Sequence, residues 1–110
     1  MDALNMSVEY SCGIEFYPLL DILFCHERDN WTRIMLKGYS SCTTSKTIRA
    51  IEQNLNSDQF FRVHRSYLVN LLYVRKIIGS YEHLELKDGH VIPVSRRRRA
   101  LLRKYVNNIQ

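Results

Sequence analysis

The chain has 110 residues, of which 45% are hydrophobic and 25% charged, and it carries a net charge of +5. That length makes one domain with a core large enough to need no metal or disulfide staple, and the hydrophobic content excludes a disordered tail. No apolar run approaches the roughly 18 residues that span a bilayer.

In chain order, residues 1–6 read as a flexible start and residues 7–110 as one folded domain. Residues 7–17 mix Val8, Tyr10, Ile14, Phe16 and Tyr17 with polar residues in rough alternation, broken at Gly13 and ended by Pro18. This predicts two strands or one bulged strand. Residues 21–26 predict a short buried strand through Ile22, Leu23 and Phe24, and residues 27–30 a polar turn. Residues 31–37 alternate cleanly, with Thr32, Ile34 and Leu36 on one face and Trp31, Arg33, Met35 and Lys37 on the other. Gly38 turns the chain and residues 41–44 form one more strand. A helix follows, capped by Ser45 or Thr44, with Ile48, Ile51 and Leu55 as its buried stripe and Asn56, Ser57 and Asp58 as its stop.

Residues 60–64, 67–69, 74–78 and 81–86 read as further strands. Lys87-Asp88-Gly89-His90 is a hairpin signal, and residues 91–94 return, with Pro93 suited to an edge. Ser95 can cap a final helix from Arg96 to about Asn108, whose Leu101, Leu102, Tyr105 and Ile109 face inward. The result is a mostly β, α+β chain with antiparallel strands, a mid-chain helix and a C-terminal helix. It lacks a helix-turn-helix pattern, so any DNA reading falls to loops and strand ends.

Charge is unevenly distributed. Residues 1–59 hold five Lys/Arg against eight Asp/Glu, a net −3, whereas residues 60–110 hold eleven against three, a net +8. A basic half attracts a polyanion, because phosphate contacts release counterions. It serves equally as a solubilising surface.

Two segments concentrate the chemistry. In residues 60–70, FFRVHRSYLVN, a regular strand places Phe61 and Val63 on one face and Arg62 and His64 on the other. Arg65 and Ser66 then sit where the strand breaks. A corner arginine can present its planar fork to a guanine edge, and a serine hydroxyl or N–H can take a phosphate. These residues could equally be amphipathic surface. In residues 93–99, PVSRRRR, Arg96, Arg97, Arg98 and Arg99 open a helix whose start already carries partial positive charge. A bound anion would compensate; a solvated basic patch is the alternative. The four fan around the axis at about 100° per residue, so one or two face any single ligand.

Catalytic and metal chemistry find little support. His64 and Ser66 lack an orienting third group. Cys25 and His26 are adjacent and point to opposite strand faces, which disfavours chelation. No phosphate-binding glycine loop occurs. The three cysteines, Cys12, Cys25 and Cys42, are widely spaced and read as reduced thiols. Residues 1–15 carry Asp2, Glu9 and Glu15 and no basic signal-peptide start. A cytoplasmic, non-enzymatic protein without cofactor or metal is expected.

Residues 60–70 closely resemble the F-x-R-x-H-R-S-y-L-V-N core motif of LytTR domains. The resemblance extends upstream through Asp21-Ile22-Leu23-Phe24 and Asp29-Asn30-Trp31, and downstream through Asp88-Gly89 and Ile92-Pro93-Val94-Ser95-Arg96, covering about residues 7–107. It implies an elongated fold with sheets laid side by side, and loops that enter successive major grooves of double-stranded DNA at paired direct repeats in promoters, often with bending. Carried over by position, Arg65, Arg96 and Asn30 would touch bases. His64, Ser66 and Arg62 would support the loop or touch phosphate, and Arg97, Arg98 and Arg99 would touch phosphate. The resemblance also implies bacterial transcription control, as the output domain of a two-component response regulator with its receiver domain outside these residues, or as a stand-alone regulator. It is compatible with a homodimer on DNA. The other reading is a protein-interaction module that docks an acidic partner through its basic half.

Overall fold

The computed structural model describes residues 5–10, 12–55 and 58–109. Along them run β1 (Asn5–Tyr10), β2 (Gly13–Pro18), β3 (Ile22–Arg28), β4 (Trp31–Leu36), β5 (Ser40–Thr44), α1 (Ile48–Asn54), β6 (Phe60–His64), β7 (Tyr67–Asn70), β8 (Val74–Ile78), β9 (His83–Leu86), β10 (Val91–Pro93) and α2 (Arg96–Ile109). The first strand starts at Asn5, two residues ahead of Ser7, and Met6 is buried. The strands form a β1-β2 hairpin, a central sheet ordered β5-β4-β3-β7-β6, and a C-terminal sheet ordered β10-β9-β8. All the pairings are antiparallel. The described molecule measures 44 × 29 × 26 Å.

The middle of the central sheet is buried on both faces. One face carries Ile22, Cys25, Ile34, Phe60 and Leu68, packed with Ile48 and Ile51 of α1 and with Met6 and Val8 of β1. The other carries Leu23, Phe24, Val63 and Val69, packed with Leu84, Leu86 and Ile92 of the C-terminal sheet and Leu102 of α2. Cys25 lies in the first of these clusters, and its burial, followed by the proximity of Cys42, pushes the thiol up to about 12. It stays protonated and unreactive near neutral pH.

Two bulges decide which side chains reach which face. Register shifts between Ile22 and Phe24, so Leu23 and Phe24 both join the second cluster. It shifts again between Arg62 and His64. An extra residue in one strand breaks the two-residue side-chain period. Arg62 therefore turns to Glu52 of α1, while His64 lies against Tyr67 on the opposite side, instead of sharing a face with Arg62.

Other local expectations shift for identifiable reasons. Glu27 and Arg28 extend β3, leaving Asp29 and Asn30 as the turn. The cap of α1 is Thr47, whose hydroxyl accepts from the Ala50 N–H at 3.1 Å, because Thr44 is already buried in β5. The helix reaches Asn54 with Leu55 at its C-cap, and the expected stop at Asn56 and Ser57 lies outside the described residues. β9 starts at His83, since Tyr81 takes a positive φ of 64°. In α2, Leu102 and Tyr105 face the body, but Leu101 is 54% exposed and Val106 packs inward instead. The side chain of Ile109 lies outside the described residues.

Candidate nucleic-acid interface

Hairpin geometry brings two of the expected reading segments together. Asp29 and Asn30 link β3 to β4 with φ of 53° and 67°. Two left-handed residues make the tight turn whose twist matches the flanking strands, and Asp and Asn tolerate that conformation better than most. Arg65 and Ser66 link β6 to β7. Since β3 pairs with β7, with His26 opposite Tyr67, both turns leave the central sheet at the same end. The Glu27 N–H donates to the Ser66 carbonyl at 2.9 Å, and Glu27, Arg28, Asp29, Asn30, Arg65 and Ser66 line one open depression of about 490 Å³. The third segment is attached to the same strands: the Ser95 N–H donates to the Val63 carbonyl at 2.8 Å, one residue before His64. Arg96 follows directly and is exposed.

Arg62 is committed to holding the Arg65–Ser66 turn. Its Nε donates to the His64 carbonyl at 3.0 Å, its Nη1 to Glu52 Oε1 at 3.2 Å, and its Nη2 to the Arg65 carbonyl. Only 14% of the side chain is exposed. Glu27 ties the same region to the other end of α1, with Oε1 accepting from the Ile48 N–H at 2.8 Å. The helix thus anchors both turns. Arg62→Gln loses the charge-assisted bonds and is expected to lower unfolding free energy by about 1–3 kcal/mol, measured by urea denaturation. A loss within about 0.5 kcal/mol, the usual range for surface substitutions, would refute the brace.

His64 is part of this support. Its Nδ1 accepts from the Ser66 N–H at 3.0 Å, so that amide is already used within the turn. Tyr67 packs between the two histidines: His26 stacks on it at 4.2 Å and 3°, and His64 meets it edge-on at 5.6 Å. Both histidines have pKa values lowered from the ordinary 6.5. Burial comes first in each case, followed by Arg28, His64 and Arg33 for His26, and by Arg65 and Arg62 for His64. The unfolded chain therefore binds protons more readily than the folded one. The contribution of these two groups to stability is complete above pH 6.5 and is lost as pH falls through the lowered values. Thermal melts between pH 7.5 and 5 will show Tm falling on acidification. His64→Asn, which keeps an acceptor but does not titrate, will flatten part of that slope; an unchanged slope would remove His64 from the cause.

The arginines of α2 divide. Arg96 and Arg97 are exposed, whereas Arg98 and Arg99 are half-buried and Arg99 Nε reaches back to the Val94 carbonyl at 3.4 Å. No acidic residue occupies the first turn. Among the described residues, none of the four forms an ion pair with a carboxylate, so their charge is locally uncompensated. Sequence reasoning passed over Arg28 and Arg33, which flank the Asp29–Asn30 turn on β3 and β4. The signal was present in the alternation of β4, which puts Arg33 on the face away from Thr32 and Ile34.

Comparison with known proteins identifies the family. The family model described as the LytTr DNA-binding domain matches residues 13–107. The sensory transduction protein LytT of Bacillus subtilis (strain 168) is 36% identical over 90 residues, 79% of this chain and 37% of that protein. The CO-responsive transcriptional regulator RcoM of Rhodospirillum rubrum is 29% identical over 94 residues, 81% of this chain and 39% of that protein. The chain thus spans less than two-fifths of the length of either curated relative. A solved LytTr DNA-binding domain from Bacillus cereus matches with a TM-score of 0.78 at 22% identity, covering 93% of this chain and 95% of that one, which establishes a shared fold. With its family match extending over residues 13–107 and its antiparallel sheets arranged as in a solved member, this chain belongs to the LytTr DNA-binding domain family.

Proposed function

We propose that this DNA-binding domain reads double-stranded promoter DNA for transcription control through three projecting segments: Asp29–Asn30, Arg65–Ser66 and the start of α2. The observation that carries this reading is the gathering of both turns at one end of the central sheet, with the Ser95–Val63 hydrogen bond tying the α2 start to the strand that feeds the second turn. Arg65, Arg96 and Asn30 are the base-reading side chains. The Ser66 hydroxyl and Arg97, Arg98 and Arg99 meet phosphate, while Arg62 and His64 hold the loop in place. An arginine fork to guanine and an asparagine amide to adenine are the pairings their geometry favours. The sites are paired direct repeats read by loops in successive major grooves, in the cytoplasm. A receiver or sensor domain in a longer polypeptide, or a second copy on DNA, completes the regulator. Among the described residues no helix is long and apolar enough to cross a membrane.

The test is selection from a pool of randomised duplexes at near-physiological salt, read by anisotropy and sequencing. Enrichment of a short repeated motif is the expected result. Binding without enrichment would reduce the domain to a non-specific DNA binder. No binding at low salt would redirect the basic half to an acidic protein partner.

A further inference from the structure

Beyond the reading turns, one region of the central sheet gathers positive charge without a compensating anion. After the bulge in β3, Phe24, His26 and Arg28 alternate onto one face. Phe24 lies in the core shared with the C-terminal sheet, but the face continues past it into solvent. Cross-strand pairing sets His26 opposite Arg33, Arg28 opposite Trp31, and Arg33 opposite Thr43. These five residues line a groove of about 230 Å³, and no carboxylate is among them. Among the described residues Arg28 reaches only Asp29, at 4.0 Å and with both side chains more than four-fifths exposed, a pair too solvated to neutralise it. Among the described residues Arg33 has no ion-pair partner.

We propose that His26, Arg28, Arg33 and Thr43 form a phosphate-binding groove that holds the DNA backbone beside the reading turns. The proposal rests on the DNA-reading function above and adds a contact surface to it. Two guanidiniums from neighbouring strands can donate to one phosphate, the Thr43 hydroxyl supplies a third donor, and the His26 ring plane is fixed by stacking on Tyr67. The groups that face His26 are Arg28 on its own strand, Arg33 on β4, His64 on β6 and Tyr67 on β7. Repulsion from Arg28, His64 and Arg33 adds to burial in disfavouring the charged imidazole, and an anion in the groove would relieve it. The groove adjoins the depression between the turns at Arg28, which lines both. A backbone leaving the bases at Asn30 and Arg65 would therefore cross it. These cations lie in the half of the chain with net charge −3, so only the folded sheet reveals them as a cluster.

The experiment compares Arg33→Gln with Lys104→Gln, which removes the same charge from an exposed position on α2 away from the groove. Both are titrated with the selected duplex and with a random duplex across salt, after circular dichroism establishes that they fold. Arg33→Gln is expected to weaken both duplexes by the same factor, about fivefold near 0.15 M salt, and to lower the salt slope by about 0.9. Arg28→Gln in the same chain lowers it again, and Lys104→Gln leaves it unchanged. A slope for Arg33→Gln equal to that of Lys104→Gln overturns the groove, as does a loss confined to the selected duplex, which would make Arg33 a base reader. If the unaltered domain binds no duplex at all, the DNA reading itself falls, a result distinct from loss of the groove alone.

Discussion

Replacing Asn70 by alanine is expected to lower unfolding free energy by about 3 kcal/mol and Tm by about 12 °C. Asn70 is completely buried at the end of β7. Its Nδ2 donates to the Ile22 carbonyl at 2.8 Å and the Leu19 carbonyl at 3.2 Å, and its Oδ1 accepts from the Leu72 N–H at 3.0 Å. One amide thereby joins the turn that enters β3 to the turn that leaves β7. Alanine strands two buried carbonyls and a part-buried N–H, and an unsatisfied group costs about 1–3 kcal/mol. Partial rehydration keeps the sum below the maximum. Asn70→Asp retains the acceptor but aims a carboxylate at two carbonyls, so it is expected to be no milder. Since domains of this size are stable by only about 5–15 kcal/mol, either change removes a large fraction. Urea and thermal denaturation measure it. A loss under about 1 kcal/mol for alanine would mean that water reaches those carbonyls freely, and would sink the account.

Arg65→Ala is expected to have the opposite profile: little change in stability and a large change in recognition. The side chain is exposed, and what the fold uses is its backbone carbonyl, which accepts from Arg62 and survives the substitution. Stability therefore shifts within about 0.5 kcal/mol. Affinity for the selected duplex falls by about 1–3 kcal/mol, and preference at one base position relaxes. Arg97→Ala serves as contrast. It weakens selected and random duplexes alike and lowers the salt slope by roughly one unit. Parallel anisotropy titrations of the two variants separate the roles. Equal weakening of both duplexes by Arg65→Ala would make it a phosphate contact and remove it from base reading.

The backbone geometry of residues 60–70 was legible where the chemistry is local. The break at Arg65–Ser66 follows from a short strand ending in polar residues, and the Asp29–Asn30 turn from residues that tolerate left-handed backbone. Assigning a face to Arg62 and His64 did not succeed by alternation, because a bulge is a property of two paired strands rather than of one. The cap of α1 was similarly obscured. Thr44, Ser45 and Thr47 are all chemically competent, and burial of Thr44 in β5, with the Glu27 carboxylate 21 residues upstream bonding the Ile48 N–H, favours the start after Thr47. Val106 takes the inward place expected of Leu101 because a four-residue step along α2 from Leu102 lands on Val106, and the sheet it packs on selects that stripe.

By itself the sequence determined the strand-rich class, the main turn positions, the two helices, the basic second half and the motif that marks the family. These depend on side-chain period, turn chemistry and charge, all properties of neighbouring residues. Only the tertiary structure decided that Arg62 serves the loop and is not free for a ligand, that the Ser66 amide is occupied by His64, and that Arg28 and Arg33 converge with His26 on one groove. Each of these is a relation between strands or between a strand and a helix. It is set by register, and register is fixed when both faces of the central sheet are buried at once.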